Sequence, residues 1–354
     1  MKKIVFILLA FVLIVGCNQQ KKETIKIGLI LPLTGDAADW GIPPRNGAQL
    51  AVDEINKNGG INGKLIELII EDDVCDPAKG VAAMNKIISI DKPVAVVGAV
   101  CSSVTLAIAP IAEKNKIVLI SPASTNPKIT DAGDYIFRVI PSDELRGQVF
   151  AEHIYNLGLR KAAIIYINND GGKGNEQTFI KYFTKLGGEI LTSQAYATTA
   201  KEVKTQMIKI KESKAEFILA ISQIQDAVTV LKNAKELNVN LPFYFQTEAL
   251  EDPKVAELAG DAIIGSTYIT FAKEKSPEID KFKNLYKAKF NTEPELFSAE
   301  AYDAINLIYA ALKESKEIKE YLYTTKDYHG ASGSISFDSN GDVAKKLEII
   351  TMDK

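Results

Sequence analysis

Histidine is nearly absent from this chain: only His153 and His329 occur in 354 residues, and cysteine appears just three times. Histidine-rich metal centres and most catalysis that relies on an imidazole base therefore lack their usual residues. Neither sign of charge dominates. The 42 basic and 45 acidic side chains leave a formal net charge of −3, whereas nucleic-acid binders are normally basic, so that class is set aside. No apolar run approaches the roughly 20 residues that span a bilayer as a helix. Also missing are a Gly-x-Gly-x-x-Gly fingerprint after a strand, a phosphate-binding P-loop, a Gly-x-Ser-x-Gly elbow and a His-Glu-x-x-His pair. What is present is a globular composition, 46% hydrophobic and 25% charged, in a chain long enough for two cores at about 150 residues each.

The chain opens with Lys2 and Lys3, followed by an unbroken apolar run from Ile4 to Val15 and then Gly16 and Cys17. As a helix this run covers about 18 Å, short of a hydrocarbon core of about 30 Å, so it reads as the core of a signal peptide. The segment Ile14-Val15-Gly16-Cys17 resembles the lipobox of bacterial-type lipoproteins. On that likeness residues 1–16 are removed, Cys17 is lipidated, and residues 17–24 form a tether to the membrane. Export then places Cys75 and Cys101 where oxidation is permitted. A disulfide and two buried free thiols both satisfy the spacing.

Beyond residue 24, strand-like runs alternate with amphipathic helices, the pattern of an α/β protein with mainly parallel sheets. Strands are expected over 25–31, 65–71, 94–98 and 117–121, with helices between them, the first starting at Pro43 and Pro44. A second series starts after Pro141: a helix to Leu157, a strand over 162–167, a helix over 175–186, and strands over 190–195, 217–221 and 243–247. Two similar units therefore stand in tandem, with no Pro- or Ser-rich linker between them. The last third holds a strand near 266–271, helices over 277–290 and 298–315, and a β-rich tail in which Asn340-Gly341 signals a hairpin. His153 and His329 read as packing or surface residues.

Polar residues cluster at the carboxyl ends of the expected strands, where open α/β sheets bind ligands. Cys101-Ser102-Ser103 follows the third strand, and Ser121 to Thr125 follows the fourth. Free amides at a helix start and adjacent hydroxyls suit a carboxylate. In the second unit Glu248 follows a strand as a solvent-facing carboxylate suited to an ammonium, and its replacement is expected to spare stability. An anion site opposite an acid fits a small zwitterion. Taken one at a time, these residues also fit simple capping, turns and a solvated glutamate. A hydrolase using Ser102 with Glu248 is disfavoured, because neither histidine lies near a strand end.

Several stretches together resemble the periplasmic branched-chain amino-acid binding proteins, the type I solute-binding components of ABC importers. They are Ile27 to Gly35, Asn56 to Gly63, Asp72 to Pro77, Cys101-Ser102-Ser103 and Ser121 to Thr125. The resemblance implies two Rossmann-like lobes joined by three crossing segments, with residues 25–143 and 271–333 in the first lobe and 144–270 and 334–354 in the second. It implies a Cys75–Cys101 disulfide. It also implies that Ser102, Ala123 and Thr125 hold the amino-acid backbone, that Glu248 meets the ammonium, and that Trp40 covers the ligand. Two positions depart from the family pattern: Gly171 stands where a tyrosine is common, and Gln223 where another aromatic is common. The expected protein is a lipid-anchored monomer and not an enzyme, needing no metal or cofactor, that passes an amino acid to ABC permease subunits. The alternatives are a binder of a neutral amide or urea-like solute, drawing on Gln223, Asn168 and Asn169, and the ligand-sensing part of a signalling system.

Overall fold

The computed structural model describes residues 23–272 and 274–353, so the leader and Cys17 lie outside the described residues. The first series runs β1 (Ile25–Leu31), α1 (Ala38–Lys57), β2 (Ile66–Asp72), α2 (Pro77–Lys86), β3 (Ala95–Gly98), α3 (Ser102–Asn115), β4 (Val118–Ser121) and β5 (Ile136–Arg138). These strands form one parallel sheet in the order β2-β1-β3-β4-β5. Its side chains alternate between two cores, as strand geometry requires when both faces are covered. Ile27, Leu29 and Leu31 enter the core on one face, while Ile30 enters the other.

The chain then crosses to α4 (Asp143–Asn156), β6 (Lys161–Ile167), α5 (Asp170–Lys185), β7 (Glu189–Tyr196), α6 (Lys204–Glu212), β8 (Phe217–Ile221), α7 (Ile224–Glu236), β9 (Phe243–Phe245), α8 (Pro253–Ala259) and β10 (Thr267–Phe271). It returns to the first lobe for α9 (Pro277–Phe290), α10 (Ser298–Lys313), α11 (Ile318–Thr324) and the hairpin β11 (Tyr328–Gly330) with β12 (Gly333–Ile335). Finally β13 (Leu347–Thr351) pairs antiparallel with β10, completing a second sheet in the order β13-β10-β9-β8-β6-β7. Here too alternate residues feed opposite faces: Ala163 and Ile165 one core, Ala162 and Ile164 the other. The architecture is thus two doubly wound lobes, with the chain passing between them after β5, after β10 and before β13. Helix α10 lies on α1 so closely that a Cβ on Gly47 would stand 1.9 Å from the carbonyl oxygen of Ser298.

Several boundaries differ from expectation. Helix α1 starts at Ala38, so Pro43 and Pro44 lie inside it and leave the carbonyls of Asp39 and Trp40 without their usual helical donors. Helix α5 starts five residues before Asn175, because the side chain of Asn169 accepts from Gly172 N at 2.7 Å and caps it there. Residues 334–343 belong to the first lobe and not to the second. Ile335, Phe337 and Val343 fill its core, and Phe337 bridges to Val343 around the Asn340-Gly341 turn. Asp342 also binds the buried Arg138 through Nε and Nη2, both at 2.6 Å, so the last crossing falls after Val343. His153 is half-buried, its ring stacked 6.4 Å from Phe150, and His329 is exposed on β11.

Candidate functional site

The carboxyl ends of the two sheets face each other across a cleft lined by both lobes, the place where parallel sheets hold small molecules. Trp40, Ser102, Ala123 and Thr125 line it from the first lobe, and Gly171, Gln223 and Glu248 from the second. The structure thus brings together all seven positions expected at a ligand. The lobes touch at its mouth. Asn126 Nδ2 donates to the carbonyl of Asp170, and a Cβ on Gly174 would stand 2.7 Å from that same Nδ2, so only a glycine permits the approach. Trp40 packs against both lobes' cores and lies 5.5 Å from the ring of Phe297.

In the first lobe a web of buried hydroxyls fixes the loops. Ser121 Oγ donates to Ala99 O at 2.7 Å, and Ser124 Oγ bonds the carbonyls of Ala99 and Val100 at 3.0 Å. The Cys75–Cys101 disulfide, with Cα atoms 5.6 Å apart, ties the loop after β2 to the residue that precedes α3. It thereby anchors the helix start that presents Ser102 and Ser103. The amides of Val104 and Thr105 both donate to the carbonyl of Cys101 at 3.0 Å, which leaves those of Ser102 and Ser103 for a ligand, and the positive end of the helix dipole adds to their pull on an anion. Ser102 Oγ accepts from Asn126 N at 3.3 Å and keeps its own proton to donate. Thr125 differs: its hydroxyl proton goes to Asp143 Oδ2 at 2.6 Å, so towards the cleft it offers a lone pair.

The second lobe's acid is not the solvated carboxylate expected from sequence. Glu248 is 6% exposed, and both its oxygens accept from Arg146: Nη1 donates to Oε2 at 2.9 Å, and Nη2 donates to Oε1. Arg146, 3% exposed, also donates to the carbonyl of Gln246 at 3.3 Å. Burial works against its charge, but the neighbouring carboxylates of Glu248 and Asp143 outweigh it and hold the guanidinium above its ordinary value. Asp143 is fully buried and accepts from Thr125 and from Asn175 Nδ2, the latter also at 2.6 Å. Burial raises its carboxyl to about 6, against the partial relief of Arg146. Asp143 Oδ1 and Arg146 Nε, 3.9 Å apart, have no hydrogen-bond partners. Replacing Glu248 would strand a buried guanidinium, so the expectation that its loss spares stability is corrected.

Sequence reasoning missed Arg146, Asp143 and Asn175. One signal was available: the chain has only four arginines among its 42 basic residues, and arginine is the cation suited to buried, two-pronged carboxylate pairing. Among the described residues, no group of three or more His, Cys, Asp or Glu side chains is placed to hold a metal ion, and no helix is long and apolar enough to cross a membrane.

Two α/β lobes with residues of both facing a shared cleft match a family model described as periplasmic binding protein, which covers residues 24–353. The chain belongs to this family. Membership implies an exported, extracytoplasmic protein. A curated relative from Pseudomonas aeruginosa, a leucine-, isoleucine-, valine-, threonine- and alanine-binding protein, is 30% identical and aligns over 91% of this chain and 87% of its own length. A solved leucine-binding protein from Thermotoga maritima superposes with a TM-score of 0.85 at 27% identity, covering 94% of this chain and 96% of that one. The branched-chain amino acid transporter substrate-binding protein of Streptococcus pneumoniae, solved with isoleucine, gives 0.84 at 29% identity, covering 94% and 97%. The same fold at 22% identity, also with a TM-score of 0.84 and 94% of each chain covered, occurs in an R. palustris solute-binding protein solved with benzoate. The same fold therefore occurs in proteins solved with different ligands.

Proposed function

We propose that this protein is a lipid-anchored solute receptor that captures a free amino acid between its lobes and delivers it to an ABC permease, without chemical conversion of the ligand. The observation that carries the reading is the opposition of two charge-selective surfaces across one cleft. The start of α3, with the Ser102 hydroxyl and free amides, suits a carboxylate. Across from it Glu248 suits an ammonium, and the lone pair of Thr125, on the first lobe, adds an acceptor for the same group. A carboxylate that already accepts two bonds from Arg146 still has lone pairs for a third donor. Because the arginine balances Glu248, a zwitterion adds no net charge to the closed cleft. Ligand bridging the lobes would favour the closed arrangement by its differential affinity, and opening would release it. The hydrolase alternative gains no support, since Glu248 is engaged by a guanidinium and is poorly suited to take a proton from Ser102.

The test is titration calorimetry of the ligand-stripped mature chain against the twenty amino acids, urea and acetamide. Saturable binding of at least one amino acid, and none of urea or acetamide, is the expected result. Binding of the neutral amides alone would replace this reading with the amide-receptor alternative. For the anchor, Cys17→Ser should abolish incorporation of labelled fatty acid and release the protein from the membrane fraction. Unchanged labelling and fractionation would refute lipidation.

A further inference from the structure

The part of the cleft that would receive a ligand's side chain is only half apolar. Ile167, Ile221 and Trp40 supply hydrocarbon wall. Beside them Ser222 lines the same cleft at 2% exposure, and its hydroxyl has no hydrogen-bond partner. The next residue, Gln223, is half-buried, and its side-chain amide bonds to nothing among the described residues. At Gly171 a Cβ would meet Asn169 Oδ1 at 3.5 Å and Ser102 Oγ at 3.9 Å, ordinary contacts, so this position tolerates a side chain next to Ser102. Trp40 and Gln223 also line an adjoining outer pocket, where Asp36, Asp39 and Asp226 face the single lysine Lys201. Asp226 Oδ2 is buried there without a hydrogen-bond partner.

These features match neither a short side chain nor a purely aliphatic one. A leucine-like side chain would strip water from the Gln223 amide and leave the buried Ser222 hydroxyl unpaired, returning a hydrogen bond to neither. A long unbranched chain does better. Its methylenes can lie along Ile167, Ile221 and Trp40 while its tip passes between Trp40 and Gln223 towards the carboxylates. Resting on the amino-acid reading above, we propose that the preferred ligand is an amino acid with an extended side chain, apolar along its stem and ending in N–H donors. Ser222 and Gln223 are its specificity-determining residues, and Asp226 receives the tip. Burial raises the Asp226 carboxyl to about 6 against the partial relief of the Gln223 backbone amide and the Tyr196 hydroxyl, and a further donor at Oδ2 would lower it.

Amide-tipped and cation-tipped side chains share this chemistry, and calorimetry on the ligand-stripped mature chain separates them. Glutamine, lysine and arginine are compared with leucine and with norleucine, which keeps the straight stem but has no polar tip. At least one of the polar three should bind about tenfold or more tighter than norleucine, because a site built to hydrogen-bond rejects the analogue that cannot. Gln223→Leu should reduce that ratio to near one or invert it, with urea unfolding as the check on folding. Asp226→Asn should weaken lysine or arginine about tenfold if the tip is cationic, and leave glutamine unchanged if it is an amide. Should Gln223→Leu fail to fold, the wild-type ratio of lysine or glutamine to norleucine decides. If leucine or norleucine binds wild type more tightly than every polar amino acid, this inference is overturned while the amino-acid reading stands. If no amino acid binds at all, both fall.

Discussion

Removing the carboxylate of Glu248 should damage the protein twice, and the two losses can be separated. Glu248→Ala leaves Arg146, 3% exposed, with no partner for Nη2 and only the Gln246 carbonyl for Nη1. Breaking a buried pair by truncating one member costs about 3–5 kcal/mol. Asp143, 3.9 Å from Arg146 Nε, can take up part of the stranded charge, so the lower end of that range is expected. Binding should fall independently by at least ~2 kcal/mol, about thirtyfold, because the ligand ammonium then enters a closed cleft without its counter-charge. Adding Arg146→Met removes the stranded charge. The double variant should recover most of the lost stability, since apolar replacement of a buried pair is often neutral, yet it should bind no better than Glu248→Ala. Urea unfolding of the four proteins of this cycle yields the coupling energy, and calorimetry yields affinity. If Glu248→Ala unfolds at the wild-type midpoint, the pairing with Arg146 contributes little and the stability argument is wrong. If it binds amino acids at wild-type affinity, the role given to Glu248 is wrong.

Three further outcomes follow from the same geometry. Ser102→Ala should weaken amino-acid binding about 10- to 100-fold, the usual worth of a hydrogen bond to a charged group, and cost about 1 kcal/mol of stability through the lost bond from Asn126 N; equal affinities in calorimetry would shift the carboxylate site elsewhere. Replacing Cys75 and Cys101 by alanine, or reducing the bridge, should cost up to about 3.5 kcal/mol for a loop of 26 residues and should loosen the α3 start, seen as faster amide exchange at Val104 and Thr105, whose N–H groups bond the Cys101 carbonyl; unchanged unfolding would show that the bridge contributes nothing. Asp143 holds a proton up to about 6, against an ordinary carboxyl near 3.8, so the native state binds protons more tightly than the unfolded chain. Relative to the non-titrating Asp143→Asn, wild type should therefore lose stability as pH rises from about 4 to 6 and change little above; a flat difference in unfolding free energy over that window would contradict the raised carboxyl.

Much of the architecture was legible because strand and helix periods carry it. Alternating apolar runs mark both sheets, and the polar residues just beyond them fall where parallel sheets open to ligands. The starts of α1 and α5 were misplaced locally, whereas the other misassigned pieces depend on distant partners. Strand β5 is three residues long and ends in Arg138, so little in its own sequence distinguishes it from a loop; pairing with β4 and the bond to Asp342 create it. The same bond keeps residues 334–343 in the first lobe. At the site, Ser102 and Glu248 could be chosen from strand-end position alone. Arg146 lies in the first turn of α4, 102 residues from Glu248, and nothing local marks it beyond being one of four arginines in a lysine-rich chain. Its presence changes Glu248 from an exposed acid into half of a buried pair.

The central claim is that the cleft recognises both charges of an α-amino acid at once. Calorimetry with the best amino-acid ligand, its decarboxylated amine and its deaminated acid tests this directly on the wild-type mature chain. Only the zwitterion should bind, with each analogue weakened about thirtyfold or more, because either leaves a buried, charge-selective surface unpaired. Affinity of the deaminated acid equal to that of the amino acid would contradict this reading, since Glu248 would then face a ligand without the ammonium it is placed to receive.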